Sequence, residues 1–175
     1  MAHRLEMIAD GAASVVRTVG QVTAWLGLAL VLVVAGNVLG RYLFGLGSVA
    51  MQEAEWHLMA LGALFGMSYG LNAGGEVRVD VFYDRFSVKT KRIVDTISSA
   101  LLMLCALALA WLSIGYLEQS YSINEGSPDP GGLAYRYLLK SALPIAFFLL
   151  ALQALSMLCA HLVHLVGKPE AAGSD

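Results

Sequence analysis

The side chains able to do chemistry in this chain are few, and most stand at the ends of long apolar runs. Glu53, Glu55 and His57 form the tightest polar group. A carboxylate beside an imidazole can pass a proton. Acids near the start of a helix also complement its dipole and hold that end at an interface, so anchoring or subunit contact is the simpler expectation. Asn37 and Arg41 lie one helical turn apart on one face. Arg41 is expected either to snorkel to the interface or to pair with Glu53 or Glu55. Gln153 sits near the middle of an apolar run, where an amide needs a partner, and an interhelical hydrogen bond is expected there.

His3, His57, His161 and His164 invite a haem held by two imidazoles from different helices. Depth argues against it, because His57 falls at one end of its run and His161 and His164 fall at the opposite depth. Cys105 and Cys159 both lie inside apolar runs, where a free cysteine behaves as a small hydrophobe. The sequence carries no nucleophile motif, no phosphate-cradling glycine loop and no metal-ligand spacing. Broken helices and central charges, the usual marks of a transport path, are missing as well. These absences lead to the expectation of a non-enzymatic scaffold or accessory subunit with no cofactor and no nucleic-acid partner. A membrane anchor or cytochrome-like redox subunit is the alternative.

The elements that must position these residues follow from hydropathy. The chain has 175 residues, 58% hydrophobic and 14% charged, against a charged share of about a quarter in soluble domains. Runs of this length without charge face lipid. The pattern predicts an all-α membrane protein with four transmembrane helices over about 18–40, 56–75, 96–117 and 141–167. Residues 1–17 form an N-terminal segment, read as a surface amphipathic stretch or a frayed tail, and 168–175 form a polar tail. A retained first span is expected in place of a removed signal peptide. Pro144 falls in the first turn of the fourth span, where a missing N–H costs least.

The second span has a feature of its own. Gly62, Gly66, Gly70 and Gly74 recur every fourth residue along one helix face, and absent side chains there let another backbone approach closely. Spacing alone leaves open whether that helix belongs to this chain or to a partner. After this span, Arg78, Arg85, Lys89, Lys91 and Arg92 alternate with Val79, Val81, Phe82, Tyr83 and Phe86, and this stretch, which also holds Asp80, is an interfacial segment expected to meet membrane lipid. The stretch from Glu118 to Lys140, rich in Gly, Pro, Ser and acids, predicts an ordered external loop or a short re-entry. Arg4, Arg17, Arg78, Arg85, Lys89, Lys91, Arg92 and Lys168 fall on one side of four spans, with only Arg41, Arg136 and Lys140 on the other. Both termini are therefore expected in the cytoplasm.

Four stretches carry a family resemblance: NVLGRYLFG from Asn37, QEAEWHLMALGALFGMSYGL from Gln52, VRVDVFYDRFSVKTK from Val77 and EGSPDPGGLAYRYLLKSALPIAF from Glu125. Together they resemble the small membrane subunit, DctQ, of tripartite ATP-independent periplasmic (TRAP) transporters. The last two are similar to the mannitol/chloroaromatic branch, with SPDPGG the most specific run; relatives of that branch often carry a histidine where this chain has Glu76. The resemblance implies an inner-membrane subunit of four helices with both termini inside. It also implies a large permease subunit that holds the substrate and sodium sites, and a periplasmic binding protein that delivers an organic acid. The small subunit would then brace the large one and help form the docking surface. Asn37, Arg41, Glu53, Glu55, Trp56, Gly62, Gly66, Gly70 and Gln153 are the candidates for contact with the large subunit, and Glu118, Glu125, Asp129 and Arg136 for docking.

Overall fold

The computed structural model describes residues 2–75 and 83–166, which contain four long helices and no strand. These are α1 (Ala2–Phe44), α2 (Val49–Asn72), α3 (Val88–Ser122) and α4 (Tyr137–Val166). Their boundaries are written in polar side chains and left-handed turns. Ser48 and Ser87 cap α2 and α3, each accepting a backbone N–H three residues on, from Met51 and Thr90. α1 ends at Gly45, whose φ of 66° suits a residue without a Cβ. α2 closes in a Schellman turn, with Gly74 at φ 83° and Gly75 N–H donating 2.8 Å to Gly70 O. The same turn ends α3, with Asn124 in the left-handed position and Glu125 N–H donating to Ser120 O.

Several of these ends differ from the expectation. Residues 2–17 are neither a separate surface segment nor a frayed tail: they continue α1 without a break and are packed, with Ala9, Ala12 and Val16 buried. α4 begins four residues before the expected span, at Tyr137, so Pro144 lies two turns inside the helix and leaves the Lys140 carbonyl without its usual N–H partner. Gly74 belongs to the turn that ends α2, not to a packing face. Arg78, Asp80 and Phe82 lie outside the described residues. Tyr83 is described, and its hydroxyl donates 2.7 Å to Asp95 Oδ2 on α3.

α4 is the central helix and packs on each of the other three, whereas α3 packs closely on α4 alone. The reason is side-chain size. Ala142, Ala146, Ala151 and Ala154 are all buried along α4, and small residues let helix backbones approach where lipid offers no hydrophobic drive to associate. Leu150 and Ala151 meet Ala106 of α3, with Leu71, Leu102 and Phe147 packed around them. Polar bonds fix the register. Asn72 Nδ2 donates to Gln153 Oε1 at 3.0 Å and to Ala13 O at 3.2 Å, tying α2 to α4 and α1, and Ser156 Oγ donates 2.8 Å to Ala9 O. Gln153 thus makes its interhelical bond, with Asn72. His161 Nδ1 lies 2.8 Å from Ser99 Oγ, joining α4 to α3.

The outer faces are apolar, with Trp25, Val31 and Leu32 of α1 and Trp111 and Leu112 of α3 all more than 60% exposed. Among the described residues three helices, over His3–Phe44, Val88–Ser122 and Tyr137–Val163, are long and apolar enough to cross a membrane. α2 does not meet that measure. Its acids, His57 and Asn72 leave only the stretch 58–71 free of strongly polar groups, ~21 Å of helix against a ~30 Å hydrocarbon layer.

The close approach of α1 to α2 rests on a glycine outside the fourfold stripe. A Cβ at Gly20 would lie within 2.5 Å of Tyr69 Cβ and closer still to its ring, whereas one at Gly62, Gly66 or Gly70 meets nothing within 4 Å. Gly20→Val is therefore expected to destabilise the purified chain by about 1–3 kcal/mol. Gly66→Ala leaves its melting temperature unchanged or raises it, and thermal unfolding in mild detergent separates the two.

Candidate functional site

The polar residues gather at the end of the bundle that carries the α1–α2 and α3–α4 connections. Its centre is Glu53, in the second turn of α2 and ahead of that helix's apolar stretch, with only 4% of its surface exposed. Three donors from the α3–α4 connection converge on its carboxylate. Ser127 Oγ donates 2.5 Å to Oε1, the Leu133 N–H donates 2.5 Å to Oε2, and Arg136 Nη2 reaches Oε1 at 3.0 Å. A carboxylate taken out of water needs such donors.

The run SPDPGG, 127–132, builds the receptor for that carboxylate. Pro130 and Gly131 occupy the central positions of a type II turn, with Gly131 at φ 81° and Gly132 N–H donating 3.0 Å to Asp129 O. The turn brings Gly132 against the carboxylate: a Cβ there would lie 2.8 Å from Glu53 Oε2 and collide with Ser127 Oγ. Ser127 N–H donates to Leu133 O at 3.0 Å and Arg136 N–H to Glu125 O at 2.8 Å, so the connection is an ordered loop. No helix re-enters the bundle between Glu125 and Arg136.

Around this centre the remaining polar groups divide. Glu55 Oε1 accepts 2.7 Å from Asn37 Nδ2 of α1. Of the two alternatives for Arg41 the ion pair does not form: Asn37 takes Glu55, and Arg41 stands exposed with no ion pair among the described residues. His57 Nδ1–H donates 2.6 Å to Glu53 O, and its ring centroid lies 4.0 Å from that of Trp56. Arg136 lies over Trp56, 5.5 Å from the ring centroid to Cζ. Lys140 pairs with Glu125 and sits 3.9 Å from the Tyr116 centroid. Glu118 and Asp129 remain exposed.

These partners decide the chemistry. The Glu53 carboxylate is occupied by three donors, Glu55 faces another helix and His57 faces a carbonyl, so the three do not form a proton-transfer group. Ser127 above all, then the Leu133 N–H and Arg136, holds the Glu53 carboxyl below its ordinary value, and Lys140 does the same for Glu125. No group of three metal-ligating side chains occurs among the described residues. His57 and His161 stand at opposite ends of the bundle, with His161 bonded to Ser99.

Glu53, Glu125 and Arg136 were legible as candidates, yet their pairing was not. Ser127, Gly132, Asn72 and Lys140 were missed as partners. The one usable signal was the run SPDPGG, whose two glycines follow a proline as a type II turn requires.

Gly132→Ala is expected to destabilise the chain by about 1–3 kcal/mol, and Glu53→Ala to lower its melting temperature by stranding the donors of Ser127, Leu133 and Arg136. Differential scanning of each variant in detergent reads both. Because the two carboxyls are lowered, their bonds contribute in full above 4.5 and are lost as the pH falls through the lowered values. The melting temperature should thus hold from neutral pH to about 5 and drop below about 4, with the drop reduced in Glu53→Gln.

Comparison with family models gave a match over residues 30–164, more than half of the chain, to the family described as tripartite ATP-independent periplasmic transporters, DctQ component. Comparison with curated individual proteins found no match.

Proposed function

The chain belongs to the DctQ family, the small permease component of TRAP transporters, which work with a large permease and a binding protein, and from that membership we propose that it braces the large permease through α2. The observation that carries this reading is the open glycine face. Gly62, Gly66 and Gly70 have no side chain or neighbouring helix within 4 Å of where a Cβ would stand, and Met59 and Met67 flank them, exposed. Lipid gains nothing from a groove of glycines, whereas a partner helix gains close van der Waals contact. α2 then crosses the membrane as a fourth span whose short apolar stretch is completed by contact with protein on both sides. Asn37, Glu55 and Gln153 serve that brace indirectly, by fixing α2 to α1 and α4.

The wider assignment follows the family. The subunit sits in the inner membrane with both termini cytoplasmic, the basic 78–92 segment lying at the inner surface. The large subunit holds the sodium and solute sites, and an organic acid arrives on the periplasmic binding protein. This subunit has no catalytic role. The loop end adds to the docking surface through its free acids, Glu118 and Asp129, while Glu125 and Arg136 keep the loop in shape.

Two measurements test this. Gly66→Leu is expected to leave the isolated chain's melting temperature intact and to cut co-purification with the large permease severalfold; unchanged co-purification refutes the brace. Asp129→Lys is expected to weaken sodium-driven, binding-protein-dependent uptake in proteoliposomes with the membrane complex still assembled, and unchanged uptake refutes the docking role.

A further inference from the structure

Beside the Glu53 cluster lies a cleft of about 330 Å³, lined by Trp56, Ala60 and Leu64 of α2, Tyr116 of α3, Arg136 just before α4, and Leu139, Lys140 and Leu143 of α4, with Glu125 at its mouth. It exists because α2 and α3 both pack on α4 and not closely on one another. Its polarity is graded. Trp56, Arg136, Lys140 and Glu125 stand near the loop end, and Ala60, Leu64 and Leu143 lie one to two helical turns deeper.

We propose that this cleft holds one glycerophospholipid, with its phosphodiester at Arg136 and Lys140 and an acyl chain running down Ala60, Leu64 and Leu143. Size excludes a partner helix, which is about 10 Å across, whereas an open-sided cleft of about 330 Å³ admits part of one acyl chain while the rest of the lipid lies outside it. Charge excludes a free small anion. Arg136 and Lys140 already face Glu53 and Glu125, so the mouth is close to neutral, and an anion without an apolar tail has little to gain. A phosphodiester attached to a buried chain is different, because the tail supplies the binding and the headgroup needs only local donors. Those donors are the partly exposed ends of Arg136 and Lys140, whose side chains keep 23% and 15% of their surface. Trp56 and Tyr116 place amphipathic rings at the rim, where such rings sit at headgroup level. The site does not depend on the brace, since the cleft and the open glycine face are separate surfaces of α2.

The test is native mass spectrometry of the full chain, extracted with the large permease in mild detergent and released in the instrument, with phosphatidylethanolamine and phosphatidylglycerol added back as probes. The expected result is one retained phospholipid on this chain. Retention should fall at least fivefold in Ala60→Phe, which fills the tail path, and by a smaller factor in Lys140→Gln. Leu112→Phe, on the exposed face of α3, should keep the lipid, as should a chain that has lost the large subunit. Equal retention in Ala60→Phe and the parent chain overturns the proposal. So does no retained lipid in the parent, or a cysteine at position 60 that crosslinks to the large permease in place of a lipid-borne photoprobe. A melting temperature within a few degrees of the parent's confirms that each variant has folded; if Ala60→Phe fails that check, Leu64→Phe replaces it with the same two outcomes.

Discussion

A carboxylate withdrawn from water sets the terms for this fold. Glu53 is almost wholly buried, and a charge left there without donors is costly. The donors that offset the cost come from residues 127, 133 and 136, far along the chain. Their geometry demands the rest: a loop of fixed shape, a type II turn, a glycine with no room for a side chain, and helices α2 and α4 at a set depth relative to one another. The loop end is in effect folded around one anion.

The opposite half of the bundle obeys a different economy. There the bonds that join helices come from the amides of Asn72 and Gln153, the hydroxyls of Ser156 and Ser99 and the imidazole of His161. Close packing comes from alanines on α4 and from Gly20 beneath the ring of Tyr69. Neutral bonds suit the middle of a membrane, where an unpaired charge is far more costly than an unpaired amide. The loop end is thus held by a buried carboxylate and its donors, and the helices below it by amides and hydroxyls.

Much of this was legible in the sequence, and the parts that were not share a cause. Uncharged runs gave the four helices, and a mid-span amide gave the bond of Gln153, because hydropathy and desolvation act locally. Partners were harder. Glu53 and Ser127 are 74 residues apart, and nothing local in either names the other, nor does anything local in Arg136 name Glu53 as its partner. The glycine repeat is a related case: fourfold spacing marks a smooth face without naming its partner, and the intimate contact between α1 and α2 falls to Gly20. Helix ends were misjudged wherever a helix ran past its apolar stretch, as α1 does through residues 2–17.

The distance between Glu53 and its donors also has a meaning in time. Glu53 leaves the ribosome more than seventy residues before Ser127 does, and α2 is the one helix whose apolar stretch is short. Until the α3–α4 connection arrives, the carboxylate has only water to satisfy it, and α2 has only α1 to lie against. The contacts that join α2 to the α3–α4 connection can therefore form only after a serine, a backbone amide and an arginine made much later have joined the chain.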